Sequence, residues 1–243
     1  MKVFTEYFSE DKKVNLTGYL LDASGEMPNM ENRPAVLVLP GGGYRYCSDR
    51  EAEPIAMMFA AEGYQTFVLR YSVGGTGEIT FDQPLNDAVH ALKYIRENAE
   101  EFHVIPDKIA VIGFSAGGHL ASSLGTISEE KPNALILGYP CILPKDDGVL
   151  TIEIPSTNQF VTEDTPPTFL FATSDDGCVN IEHSLSFAMA CASHKVPFEL
   201  HVFEHGCHGL SLSTPSVCVD GGNEAVAQWT SLCTKWLRKY FFN

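Results

Sequence analysis

The hydrophobic positions of this chain fall into short continuous runs separated by amphipathic stretches. Eight runs predict strands, over 3–8, 15–21, 35–39, 65–69, 109–113, 134–138, 168–172 and 198–203. Several, such as Ala35-Val-Leu-Val-Leu39 and Ile109-Ala-Val-Ile-Gly113, lack polar alternation, as strands buried on both faces of a parallel sheet do. The first two strands predict an antiparallel pair at the sheet's edge. Between strands the period becomes helical. Leu85, Ala88, Val89, Leu92 and Ile95 share one helix face, with Asp82 as the expected cap and Pro84 tolerated in the first turn. Ala225, Val226, Trp229, Leu232, Trp236, Leu237 and Tyr240 share another. Further helices are expected over 51–62, 115–125 and 180–194. The alternation predicts an α/β fold: a mostly parallel eight-stranded sheet with helices on both faces, in a single domain over 1–243. Residues 139–167 carry five prolines (140, 144, 155, 166, 167) and no period, and read as a short lid-like excursion.

Composition narrows the function classes. The chain has 243 residues, 44% apolar and 19% charged, enough to bury a sizeable core and unlike a disordered or coiled-coil sequence. Its 31 acidic against 16 basic residues give a net charge of −15, which disfavours nucleic acid and anionic membranes as partners. The same charge favours neutral substrates over polyanionic ones. Seven cysteines, an odd number without a Cys-x-x-Cys pair, fit packed thiols in a reducing compartment. The opening MKVFTEYFSEDKK lacks the apolar core of a signal peptide, and a cytoplasmic protein is expected.

One constellation carries chemistry. The apolar strand 109–113 runs into a helix through Gly113-Phe-Ser115-Ala-Gly117. A serine on such a tight turn stands at the carboxyl end of the sheet, and glycines two residues either side let the chain turn without collision. The N–H of Ala116 and the positive end of the following helix face any oxyanion formed there. Gly-x-Ser-x-Gly alone is weak evidence, with about 0.1 chance matches expected in such a chain. Three further segments follow strands of their own. Pro40-Gly41-Gly42-Gly43-Tyr44 can aim backbone N–H groups at an anion. Asp175 and Asp176 follow the strand ending at 172, and either could orient a histidine. His208 follows the last strand. The order Ser115, Asp176, His208 is that of the hydrolases built on a strand–serine–helix turn, not of the other serine-protease scaffolds.

On these residues the chain resembles the α/β-hydrolase superfamily over nearly its whole length. Within it, the chain is similar to small acetylxylan-esterase-like carbohydrate esterases and lipases. The resemblance rests on PGGGYRYCSDREAEPIA (40–56), VLRYSV (68–73), GFSAGGHLA (113–121), VTEDTPPTF (161–169) and ELHVFEHGCHGLSL (199–212). It implies Ser115 as nucleophile, His208 as base and Asp176 as the acid, in preference to Asp175. It also implies an oxyanion hole from the N–H of Ala116 and of one residue among 42–44, Gly43 above Gly42. The implied activity is a serine carboxylic-ester hydrolase removing short acyl groups, acetyl above all, from a carbohydrate, with no cofactor. Asn180 stands where the resemblance leads to a proline, and the 139–167 excursion is shorter than in relatives.

Other readings are weaker. A prolyl-oligopeptidase-like peptidase normally carries a large amino-terminal propeller, and about 34 residues precede the glycine-loop strand. A non-catalytic binding protein on the same fold would have no need of Ser, Asp and His together. His201, His205, Cys207 and His208 could be read as metal ligands, but one strand sends alternate side chains to opposite faces, and no metal is expected. His119 reads as a packing or hydrogen-bonding residue, Cys207 as a structural thiol, and Arg70 and Tyr71 as braces of the glycine loop in preference to lining the pocket. Asp49 and Glu51 read as surface or capping acids, with holding Arg50 or Arg70 as the alternative role. Tyr44 is the candidate for the substrate-pocket wall. The apolar end Tyr240-Phe241-Phe242 docks either on its own domain or on a second copy.

Overall fold

The computed structural model describes residues 1–144 and 149–242. Its eight strands are β1 (Lys2–Tyr7), β2 (Asn15–Leu20), β3 (Arg33–Leu39), β4 (Gln65–Arg70), β5 (Val104–Phe114), β6 (Ala134–Gly138), β7 (Thr168–Thr173) and β8 (Phe198–Phe203). They form one 8-stranded sheet in the order β1-β2-β4-β3-β5-β6-β7-β8. The β1–β2 and β2–β4 pairs are antiparallel and every other pair is parallel. The expected amino-terminal edge pair is therefore present. Strand β5 is the one that differs most from the pattern-based expectation. It begins at Val104, opposite Arg33, and its register shifts before Ile109 pairs with Ala35.

Period-two alternation sends the strand residues to two cores. Leu37, Leu39 and Val111 pack beneath α2 (Asp82–Glu97), α3 (Ala116–Thr126) and α4 (Glu182–Ser193), with Leu92, Leu120 and Phe187 filling that face. Val36, Val38 and Ile112 face the opposite way, towards α1 (Glu53–Ala61), α5 (Glu224–Ala227) and α6 (Trp229–Phe241). On that side Trp229 stacks on Phe171, ring centroids 4.3 Å apart. The central strands β3, β6 and β7 are buried on both faces, which is why their sequences read as unbroken apolar runs.

Two local expectations change. Asp82 is the first residue of α2, not its cap, and no side chain caps that end. The last amphipathic stripe is split at Gln228 into α5 and α6, and Asn223 caps α5 by accepting from Ala225 N and Val226 N. The chain's apolar end turns back on its own domain. Phe241 is buried, and Phe242 meets Tyr64 edge-on at 5.3 Å.

Part of the expected excursion, 145–148, lies outside the described residues. The remainder packs down on the domain. Ile142, Ile154, Thr157 and Val161 are buried, and Thr151 N donates to Gly43 O at 3.0 Å. Among the described residues, no helix is long and apolar enough to cross a membrane.

Candidate active site

Parallel strands end on the same side of a sheet, so the loops after β3, β5, β7 and β8 converge there. Ser115 sits between the end of β5 and the start of α3 with φ 52°, a left-handed conformation that is costly for a residue with a Cβ. The turn is held because Ser115 N donates to Gly138 O and His119 N donates back to Ser115 O, both at 3.0 Å. Gly117 has no room for a side chain. A Cβ there would lie 2.1 Å from Leu39 O and 2.4 Å from Pro40 O. This close approach seats the glycine loop against the serine turn.

The structure brings Ser115, His208 and Asp176 together from sequence positions up to 93 residues apart. Asp176 Oδ2 lies 2.7 Å from His208 Nδ1, and Ser115 Oγ lies 2.8 Å from His208 Nε2. A carboxylate only accepts, so Nδ1 carries the proton and Nε2 is free to accept from the serine hydroxyl. The second oxygen of Asp176 accepts from Cys178 N (2.8 Å) and Val179 N (3.0 Å). Burial alone would raise the Asp176 carboxyl. The His208 contact and the two N–H bonds outweigh it and hold the group below its ordinary value.

Asp175 points elsewhere. It accepts from His205 Nδ1 at 2.9 Å and from Gly206 N at 2.8 Å, on the exposed side of the loops. Thr173 Oγ1 donates to Gly206 O and Ser174 Oγ donates to Glu204 O, at 2.8 and 2.7 Å. These bonds stitch the Asp176 loop to the His208 loop. Trp229 Nε1 holds the latter from behind by donating to Ser211 O at 2.9 Å.

The glycine loop supplies the opposite wall. Gly42 has φ 130°, and a Cβ on it would collide with Tyr46 O at 2.0 Å. Gly42 O is engaged by Arg45 N and Gly43 O by Thr151 N. Among the described residues no acceptor takes the N–H of Gly42, Gly43 or Ala116. Those three donors flank the serine and suit an oxygen that gains negative charge. Arg70 braces the loop by donating to Cys47 O (3.3 Å) and Asp49 Oδ1 (2.8 Å), and Tyr71 by donating to Pro40 O.

Serine and histidine open onto a cleft of about 490 Å³ lined by Gly43, Tyr46, Arg45, Arg50, Val149 and Cys178, among others. Tyr44, expected on this wall, is not there: it is fully buried. Its left-handed backbone, φ 60°, turns the ring inward, where its hydroxyl donates to His119 Nδ1 at 2.8 Å. Tyr46, 57% exposed, is the loop's aromatic at the cleft. His119 donates from Nε2 to Pro155 O (3.0 Å), and burial pushes its pKa down to about 4. It is a neutral tether for the excursion.

Glu51 also departs from expectation. Read as a surface or capping acid, it is 3% exposed and accepts from Gly41 N (2.8 Å) and Tyr139 Oη (2.6 Å). The three histidines weighed as metal ligands have separate partners. His201 bonds Glu199, His205 bonds Asp175 and His208 bonds Asp176 and Ser115. Among the described residues no three His, Cys, Asp or Glu side chains are grouped to hold a metal ion.

Comparison with known proteins adds to this geometry. The BD-FAE family matches residues 21–142, just over half of the chain. Over 209 residues the chain is 34% identical to endo-1,4-beta-xylanase B of Butyrivibrio fibrisolvens, covering 74% of this chain and 33% of that protein. Over 235 residues it is 27% identical to an acetylxylan esterase of Xylanibacter ruminicola, covering 88% of this chain and 47% of that protein. The chain thus spans a third to a half of the length of these two relatives. The crystal structure of MGS-M1, an alpha/beta hydrolase enzyme from a Medee basin deep-sea metagenome library, superposes with a TM-score of 0.92. That enzyme is 43% identical, with 99% of this chain and 98% of the other covered.

Proposed function

The chain belongs to the BD-FAE family of acetylxylan-esterase-like α/β-hydrolases, and on that premise we propose that it is a serine carboxylic-ester hydrolase acting through an acyl-enzyme. The substrate class is a carbohydrate or similar small molecule carrying short acyl esters, acetyl above all. The single observation that carries the reading is the unbroken Asp176–His208–Ser115 hydrogen-bond chain, 2.7 and 2.8 Å, opening onto the cleft.

In the proposed reaction, Ser115 Oγ attacks the ester carbonyl while its proton passes to His208 Nε2. Asp176 holds the tautomer that makes Nε2 an acceptor and stabilises the imidazolium that results. The N–H groups of Ala116 and Gly43, with Gly42 beside them, hold the carbonyl oxygen as it becomes an oxyanion. The tetrahedral intermediate collapses, the ester C–O bond breaks, and the alcohol leaves with the proton from Nε2. Water then enters, gives its proton to His208 and attacks the acyl-serine. Collapse returns that proton to Ser115 Oγ and releases the carboxylic acid. Tyr46, Arg45 and Arg50 border the space where the alcohol portion would lie. We also propose a cytoplasmic location, which suits the free thiols of the buried Cys191, Cys218 and Cys233.

The test is Ser115→Ala assayed with p-nitrophenyl acetate and with acetylated xylo-oligosaccharides. Turnover should fall by about three decades or more with the fold intact. Undiminished turnover removes Ser115 as nucleophile, and preference for proline peptides over esters overturns the esterase reading.

A further inference from the structure

Behind the serine–histidine pair lies an acid that the proposed reaction does not use. Glu51 sits in a single 3-10 turn, Asp49–Glu51, that leads into α1, and its side chain points inward although Asp49 and Arg50 before it are exposed. Its two oxygens have different jobs. Oε2 accepts from Gly41 N at 2.8 Å, fixing the first glycine of the oxyanion loop. Oε1 accepts from Tyr139 Oη at 2.6 Å. That hydroxyl in turn accepts from Ser211 N at 2.9 Å, so its own proton has one direction left, towards Glu51. Ser211 lies three residues past His208, and the Tyr139 ring meets the His208 ring edge-on with centroids 5.1 Å apart. One carboxylate therefore links the oxyanion loop, the segment after β6 and the histidine loop.

Its charge also faces the base. His208 has Asp176 at Nδ1, Ser115 at Nε2 and Tyr139 against its ring; Glu51 is a second acid on the same cleft, its Oε1 3.9 Å from where a Cβ on the neighbouring Gly209 would sit. The groups facing Glu51 are Tyr139, Gly41 N, His208, Arg50 and the buried Tyr71. Burial raises the Glu51 carboxyl; the bonds from Tyr139 and Gly41 N and the charges of His208 and Arg50 act against that rise, and both oxygens accept, as those of an ionised group do.

We propose that Glu51 is a positioning residue of the ester hydrolysis: it ties the oxyanion loop to the histidine loop through Tyr139, and it supplies a second buried negative charge that favours protonated His208 as Ser115 attacks. The inference rests on the serine-hydrolase reading above. A carboxylate that only props the loops would affect folding, or all steps alike. A charge behind the base must also move the base's titration. The sign is determined: an anion near His208 stabilises imidazolium, so removing it lowers the pH at which His208 becomes neutral.

The experiment is the pH profile of kcat/KM for p-nitrophenyl acetate with the full chain as wild type, Glu51→Gln and Tyr139→Phe, each checked by circular dichroism. Glutamine has the same shape but can accept at one oxygen only. The expected Glu51→Gln result is a fall in kcat of about tenfold or more, with the acidic limb moved down by about one pH unit. Tyr139→Phe, which cuts the tie and leaves the acid, should lower kcat with KM held. An acidic limb unmoved in a folded Glu51→Gln protein overturns the charge role. If Glu51→Gln does not fold, Tyr139→Phe decides: wild-type kcat there overturns the inference. A wild type without ester turnover sinks the parent reading instead, so the two failures are distinguishable.

Discussion

Replacing Asp176 by asparagine tests the site at its most constrained atom. The carboxylate accepts three hydrogen bonds, two at one oxygen from Cys178 N and Val179 N and one at the other from His208 Nδ1. An amide keeps only one oxygen. If that oxygen stays with the two backbone N–H groups, its NH2 faces His208 Nδ1, and the imidazole must switch tautomer to accept. The proton then moves to Nε2, 2.8 Å from Ser115 Oγ, where it blocks the transfer that activates the serine. The alternative flip sets NH2 against two donors, which costs more. The expected loss in kcat/KM is about four decades, or about 5 kcal/mol of transition-state stabilisation. Asp175→Asn is the matched control, since Asp175 and His205 sit half to largely exposed and away from the serine. Its kcat/KM should stay within about threefold of wild type, as exposed pairs contribute little. Initial rates with p-nitrophenyl acetate, supported by the rate of labelling with a fluorophosphonate, read both. An Asp176→Asn enzyme keeping more than a tenth of wild-type kcat/KM, or an Asp175→Asn enzyme losing as much, would refute the tautomer argument.

Two further outcomes concern stability. Gly117→Ala would drive a Cβ to 2.1 Å from Leu39 O, a backbone atom of β3 that cannot step aside, whereas Gly25→Ala meets nothing within 4 Å. Urea denaturation should show a loss of about 3 kcal/mol or failure to fold for the first and almost no change for the second, and equal midpoints would contradict the packing described. His119 has its pKa held down at about 4 in the folded chain against about 6.5 unfolded, so the unfolded chain binds the additional proton in between. Its contribution is complete above about pH 6.5 and is lost as pH falls towards 4, to a total of about 3 kcal/mol. Urea midpoints between those pH values should slope less in His119→Gln than in wild type; an identical slope would exclude His119 as the source.

The central strands were legible because burial on both faces leaves little choice of residue, and all eight predicted runs are strands with ends moved by a residue or two, β5 apart. The loops after them inherited their positions from the sheet, so Ser115, Asp176 and His208 could be aligned before any distance was known. Asp175 against Asp176 was a closer matter, since both follow β7 and differ only in which side of the loop they face. What stayed hidden depends on contacts between distant segments. Glu51 looks like an ordinary acid among Asp49, Arg50 and Glu53, and its burial comes from Tyr139, 88 residues away. Tyr44 and Tyr46 are alike in sequence, and the left-handed turn at Tyr44 decides which ring goes inward. No period in the sequence reports the sign of a loop dihedral. The signal that could have found Glu51 is the glycine loop itself, because a tight loop with free N–H groups needs something buried to accept from it.

The stitching of the Asp176 and His208 loops has a consequence for how this molecule fails. Both loops hang from β7 and β8, the outermost parallel strands, whereas Ser115 grows from β5 near the middle of the sheet. β8 pairs on one side only, and none of its residues is fully buried. Fraying at this margin therefore carries acid and base away as a couple while the nucleophile stays embedded. The acid–base couple survives such an opening intact but out of reach. Where this border opens before the central strands, lost activity measures the open fraction of that border, not of the whole fold.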